Sequence, residues 1–351
     1  MRKKQKYIPY DYESEFQEDC TFTEGEAERI INQERKALYA TKTAKTGLHL
    51  YVDVYPEFTR LPAGFKQKEP KSSLAQRNLN EKNARKELEM LLQTNFTEQD
   101  NWYTLSYAEG NLPDCMDRAR KDAKNWIKAV NRKRKAKELP NARYIYVIEW
   151  AEGKKKVRCH IHCVMDGALS MEETLAAWKL GRRLHARPLA FDESGLSGLS
   201  RYISKESPAG EKRWAASVGL KRPRKHKNHR TFGRRRVEEV AKKPATLAHQ
   251  MEQKYPAYWF VSGAVKWNGF NGLYYLSAQM RTRARSGDVV RLACEEQVLE
   301  QIAPSVRRMM AGKRMMVVET DREPGREKVR VQLESKTYTL PARAVLVVQR
   351  E

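Results

Sequence analysis

Two short strings in this sequence carry side chains able to act on a phosphodiester. The first is Cys159-His160-Ile161-His162-Cys163. Side chains alternate between the faces of a strand, so His160 and His162 project the same way, about 7 Å apart. Two imidazoles on one face at that separation can grip a single divalent ion. A third, harder ligand would suit Mg2+ or Mn2+, the metals that accompany phosphate oxygens. The same alternation sends Cys159 and Cys163 to the opposite face, so all four side chains cannot bind one ion. The cysteines therefore read as core residues. Alternating histidines also arise by chance on solvated faces, so the pair needs support from its surroundings.

The second string is Tyr202-Ile203-Ser204-Lys205, which sets Tyr and Lys three apart on one helix face. A tyrosine Oη can attack a phosphodiester when a metal withdraws charge from the phosphate and holds it in line. A neighbouring lysine can stabilise the phenolate or the charge on the phosphorane. The pattern recurs at Tyr39-Ala40-Thr41-Lys42, and 16 tyrosines in a Lys-rich chain make chance matches expected. Position in the fold has to decide between the two.

The elements that must position these residues follow from periodicity and punctuation. Arg143–Trp150 (RYIYVIEW) and Val157–Met165 (VRCHIHCVM) read as strands. Gly153 and three lysines between them predict a hairpin, in which facing residue numbers sum to about 309. Glu149 then sits opposite His160 on the same face, and Glu152 at the turn is the alternative acidic ligand. Trp102–Tyr107 (WYTLSY) is an earlier strand. The apolar set Met116, Ala119, Ala123, Trp126, Ile127 and Val130 predicts an amphipathic helix over about 114–137 with a basic outer face. Ser170 and Glu173 form a capping-box signal for a helix over about 171–185. A short strand, Pro188–Phe191, and a helix near Gly195–Glu206 follow, the latter with Leu196, Leu199 and Ile203 as its packing stripe. This order predicts an α+β layer with helices against an antiparallel sheet.

Outside that region, residues 1–93 read as a basic, polar arm with helices over Glu24–Tyr39 and Asn80–Leu92. Tyr255–Arg283 reads as strand and turn. Val289–Leu292, Arg314–Glu319, Lys328–Glu334, Lys336–Leu340 and Ala344–Val348 have strand length and predict a small C-terminal β unit, a barrel. The expected domains are 1–93, 94–286 and 287–351. No phosphate loop of the G-x-x-x-x-G-K-[ST] type occurs, so a helicase motor would be a separate partner.

Composition narrows the class. A net charge of +24 points to a polyanion. Between Arg201 and Lys243 there are 15 Lys or Arg against four acids. Helix 114–137 and the run Lys221–Arg236 are candidate phosphate contacts, with a solvated surface as the plain alternative. No apolar run of membrane-spanning length and no secretory leader is found, so no membrane partner is expected. Five scattered cysteines, an odd number, fit reduced thiols and a cytoplasmic protein. His185, His226, His229 and His249 have no partner at useful spacing.

A strand like WYTLSY, then a His-hydrophobic-His strand, then a Y-x-x-K helix, resembles the replication initiators of the HUH endonuclease superfamily. The rolling-circle replication-associated proteins of plasmids, integrated elements and filamentous-type phages are the nearest in feel. The resemblance covers about Thr94 to Arg283 and includes Lys212–Pro223 (KRWAASVGLKRP). It implies a ferredoxin-like HUH endonuclease domain with the metal on one sheet face. His160, His162 and Glu149 would be the ligands, Tyr202 the nucleophile and Lys205 its support. The implied partner is single-stranded or hairpin origin DNA, which would be nicked, held as a 5′-phosphotyrosine and rejoined. Many relatives carry a second tyrosine one turn on. Here Glu206 stands near that position, which implies a single-tyrosine enzyme. Conjugative relaxases place the tyrosine before the histidines, and small HUH transposases share this order in shorter chains. Rival readings are a DNA-binding regulator with a non-cleaving site and an RNA-binding module.

Overall fold

The strand that carries both histidines lies in the middle of a five-stranded antiparallel sheet. In this computed structural model the described residues are 38–57, 74–151, 157–203, 214–268, 272–323 and 327–350. They form two compact units, one of Ala84–Arg222 and one that joins the residues before it to those from Pro223 onward.

The Ala84–Arg222 unit begins in helix α1 (Leu74–Asn95) and continues through β1 (Asn101–Ser106), α2 (Met116–Lys135), β2 (Tyr144–Ala151) and β3 (Val157–Met165). Then come α3 (Met171–Leu175), β4 (Leu184–Pro188), α4 (Ser197–Ile203) and β5 (Ala215–Ala216). The strand order is β4-β1-β3-β2-β5, antiparallel throughout. The β2–β3 register pairs Glu149 with His160 and Tyr144 with Met165, the pairing that the sum of about 309 predicts. The β1–β3 register sets Thr104 opposite His162.

The two faces of this sheet are used differently. On one, Tyr103, Leu105, Cys159, Ile161 and Cys163 pack against Ala119, Ala123, Trp126, Ile127 and Val130 of α2. That three-and-four spacing is the stripe read from the sequence. The Trp126 indole donates to the Thr174 carbonyl at 3.0 Å, which ties α3 to the same side. On the other face, Trp102, Ile145, Val147 and Val164 pack with Leu88, Leu91, Leu92 and Phe96 and with Leu196 and Ile203 around α4. Each fully buried aliphatic of this kind contributes roughly 1.5–3 kcal/mol.

One buried ion pair fixes the frame. Asp166, just past β3, accepts from Arg134 at 2.5 and 3.2 Å and from the Arg143 backbone N–H at 2.5 Å. Arg134 also donates to the Pro140 carbonyl at 2.8 Å, so the end of α2, the start of β2 and the end of β3 meet at one carboxylate.

Several sequence expectations are corrected here. Helix α3 stops at Leu175 rather than 185. The Trp178 indole donates to the Ser106 carbonyl at 3.0 Å, and Ala108 N–H to the Leu180 carbonyl at 2.8 Å. Gly181 lies so close that a Cβ there would sit 1.8 Å from Ser106 O. These contacts pull the chain onto the end of β1. The next strand is Leu184–Pro188, not 188–191, because a polar edge strand is set by pairing with β1 rather than by apolar content. The Tyr202 helix is shorter than expected, at Ser197–Ile203.

The second unit departs further from the expected boundaries. Leu38–Thr46 and His49–Glu57, expected within an irregular arm, form a hairpin. They pair with Arg224–Asn228 and Leu273–Thr282, and Tyr258–Asn268 completes a second five-stranded sheet. Helices Arg234–Lys242 and Leu247–Lys254 supply Val237, Val240, Leu247 and Met251 to its core. Residues 223–283 therefore belong with Leu38–Glu57, not with the motif strand. The expected helix over Glu24–Tyr39 lies mostly outside the described residues, and Leu38 and Tyr39 are strand. The five C-terminal strands occur as Val289–Leu292, Met315–Asp321, Lys328–Leu333, Lys336–Pro341 and Val345–Gln349, in an antiparallel sheet.

Candidate metal centre

Three donor atoms converge at the polar end of the face that carries α4. His160 Nε2 and His162 Nε2 are 2.9 Å apart, and Glu149 Oε2 lies 2.9 Å from the first and 3.0 Å from the second. Strand alternation brings the two histidines to one face, and the β2–β3 register brings the carboxylate beside them. Among the described residues this is the group of His, Cys, Asp and Glu side chains able to hold a metal ion. Glu152, the alternative acidic ligand, lies outside the described residues.

The donor chemistry fits a cation. His160 Nδ1 is 2.8 Å from the Arg158 carbonyl, which only accepts, so that nitrogen carries the proton. In the neutral ring Nε2 is then a lone pair, and it faces a carboxylate oxygen and a second imidazole nitrogen. Without a positive charge between them, that arrangement is repulsive. The triangle's edges also match octahedral donors at about 2.1 Å from a metal, whose neighbouring positions are about 3.0 Å apart. Two imidazoles and one carboxylate on one triangular face leave further coordination positions for substrate oxygens.

His162 is buried at 2% exposure, whereas His160 and Glu149 are each 21% exposed at the side chain. Burial, and after it the nearby His160, push the His162 pKa down to about 4, against the opposing pull of Glu149. The ring is therefore neutral near pH 7, the form that binds metals. Its Nδ1 sits 3.2 Å from Thr104 Oγ1, its cross-strand partner. Trp102 stacks on it with centroids 4.8 Å apart and planes at 19°. Sequence reading took Trp102 and Thr104 only as strand formers. The signal that would have found them is the β1–β3 register, which no local pattern supplies.

The Tyr202 ring centroid is 5.4 Å from that of His162 and 6.2 Å from that of Trp102, edge-on to both. Tyr202 is 49% exposed, so a polymer can reach it. Leu196 and Ile203 of the expected stripe are buried, with Leu199 packed beside them. Ser197 Oγ donates to Glu89 Oε1 at 2.5 Å, fixing the start of α4 to α1. Lys205 and Glu206 lie outside the described residues. Tyr39, the other Y-x-x-K tyrosine, is 2% exposed, and its hydroxyl donates to the Tyr274 carbonyl at 2.9 Å in the other unit.

Cys159 and Cys163 lie in the core on the opposite face. Burial raises the Cys159 thiol pKa to about 12 and that of Cys163 well above its ordinary value, so both stay protonated and make poor ligands. Among the described residues, no helix is long and apolar enough to cross a membrane.

Residues 100–207 match a family model, that of the replication-associated protein ORF2. The match marks a replication-associated protein. It runs from Asp100, just before β1, to Ser207, just past α4, and so takes in the triad, Trp102, Thr104 and Tyr202. Replication is work on DNA, which the charge of +24 suits. No curated protein and no solved structure matches the chain.

Proposed function

We propose that this protein is a rolling-circle replication initiator that nicks single-stranded origin DNA and joins itself to the 5′ side of the break through Tyr202. The carrying observation is the Tyr202 ring beside His162, at the edge of a Glu-His-His triad, within the segment that matches a replication-associated family. The order β4-β1-β3-β2, with α2 and α3 on one face, supports a ferredoxin-like HUH reading.

His160, His162 and Glu149 would hold Mg2+ or Mn2+, which supplies charge withdrawal at the scissile phosphate. The chain's own groups do the rest. Tyr202 Oη attacks phosphorus, a new P–O bond to tyrosine forms, and the bond to the 3′ oxygen breaks. The phenol loses its proton to solvent, and the departing oxygen takes one to become a free 3′-OH. The phosphotyrosine keeps the energy of the broken bond, so a 3′-OH can reverse the attack and reseal a strand. Lys205, three residues on, would stabilise the charge that builds up. Trp102 holds the His162 ring and borders Tyr202.

The test uses the full chain, labelled single-stranded origin DNA and Mn2+. A covalent adduct that survives denaturation is expected, absent from Tyr202→Phe and retained in Tyr39→Phe. An adduct that persists in Tyr202→Phe overturns the assignment, and binding without any adduct favours the non-cleaving regulator.

A further inference from the structure

Helix α2 carries a row of cations that the triad does not use. Lys121, Lys124, Lys128, Arg132 and Lys135 recur at intervals of three and four, so they share one stripe about 21 Å long. All five are exposed. The stripe points away from Ala119, Ala123, Trp126, Ile127 and Val130, which face the sheet on the side opposite the triad. From Lys121 onward no acid shares it.

Other cations of the helix are engaged. Arg118 pairs with Asp122 at 3.2 Å, Arg120 with Asp117 at 2.9 Å, and Arg134 with Asp166. Lys133 donates to the Glu173 carbonyl. Like charges three and four apart on a helix repel, and the five stripe residues make four such neighbours in succession. The helix dipole favours Arg132 and Lys135 in the last turn. It gives no account of Lys121, Lys124 and Lys128. A row of unrelieved positive charge on a rigid helix fits a polyanion of regular spacing.

We propose that this stripe is a second phosphate-binding track, which holds duplex DNA on the side of the sheet away from the triad. A duplex offers one phosphate per strand about every 3.4 Å along its axis, so 21 Å spans about six on one strand. A membrane surface is the other polyanion in reach of such a helix. Lying on a bilayer requires an apolar helix face free to insert, and the apolar face of α2 is buried against the sheet. The track does not depend on cleavage at Tyr202, and it would let one protein hold a duplex while a single strand occupies the triad face.

The test compares the full chain with a variant carrying Lys121→Gln, Lys124→Gln, Lys128→Gln, Arg132→Gln and Lys135→Gln. A charge-matched control carries glutamine at Lys242, Lys243, Lys254, Arg308 and Arg322, exposed cations of the other unit. Binding to a short labelled duplex is measured across a salt series. Each lost phosphate contact lowers the slope of log affinity against log salt by about 0.9. The α2 variant is expected to flatten the slope by about 3–4.5 and the control by about 1 or less. Mn2+ affinity should be unchanged in both.

Equal flattening in variant and control overturns the proposal, as does an unchanged slope. Loss of binding to vesicles of anionic phospholipid with an unchanged duplex slope overturns it in favour of a membrane. Should the five-fold variant fail to fold, Lys124→Gln with Lys128→Gln is expected to flatten the slope by about 1.8, and no flattening there overturns the proposal equally.

Discussion

Thr104→Val is the sharpest probe of the metal centre, because it removes one oxygen and keeps the shape of the side chain. Thr104 Oγ1 lies 3.2 Å from His162 Nδ1 and orients the ring whose Nε2 faces Glu149 and His160. His162 is 2% exposed at its side chain, so bulk water cannot replace the lost partner. Valine leaves Nδ1 facing a methyl group, which frees the ring to take the wrong tautomer or to tilt. Removal of such an orienting partner lowers metal affinity about 10- to 100-fold, or roughly 1.4–2.7 kcal/mol. Titration of the apoprotein with Mn2+, followed by the electron paramagnetic resonance signal of free ion, measures this directly and needs no DNA. Thr104→Ser should restore affinity, since it returns the oxygen. Unchanged Mn2+ affinity in a folded Thr104→Val protein would refute the orienting role.

Three further outcomes follow from the same geometry. Asp166→Ala strands the buried Arg134 guanidinium and should cost about 3–5 kcal/mol, read as a lower urea midpoint. Cys159→Ala with Cys163→Ala should leave Mn2+ affinity unchanged, and a large loss would reinstate the thiols as ligands. The folded apoprotein holds the His162 pKa near 4, below its ordinary 6.5, so the unfolded chain takes up the proton first as pH falls. Stability from this group is intact above about pH 6.5 and declines toward pH 4, by on the order of 3 kcal/mol, and stability flat across that window refutes the buried neutral ring.

Much of the site was legible because it is local. Period-two alternation alone separates His160 and His162 from Cys159 and Cys163, and a hairpin with one register places Glu149 beside the pair. The stripe of α2 and the capping box at Ser170 are local patterns too. Edge strand β4 was misplaced because its residues, Leu184–Pro188, are mostly polar and exposed and are held by pairing with β1. Helix α3 was drawn too long because a contact with Ser106, far back in the chain, ends it.

For this protein the sequence by itself determined the side chains available for chemistry and the faces on which they stand, since both depend on neighbours within a few residues. Tertiary structure decided which Y-x-x-K tyrosine meets the histidines: Tyr202 lies beside His162, while Tyr39 is buried in the other unit. It also decided that Trp102 and Thr104 orient His162, and that Leu38–Glu57 pairs with strands more than 150 residues later. The physical reason is the same in each case. Pairing register and packing across long separations are set by the whole core at once, and no short window of sequence contains both partners.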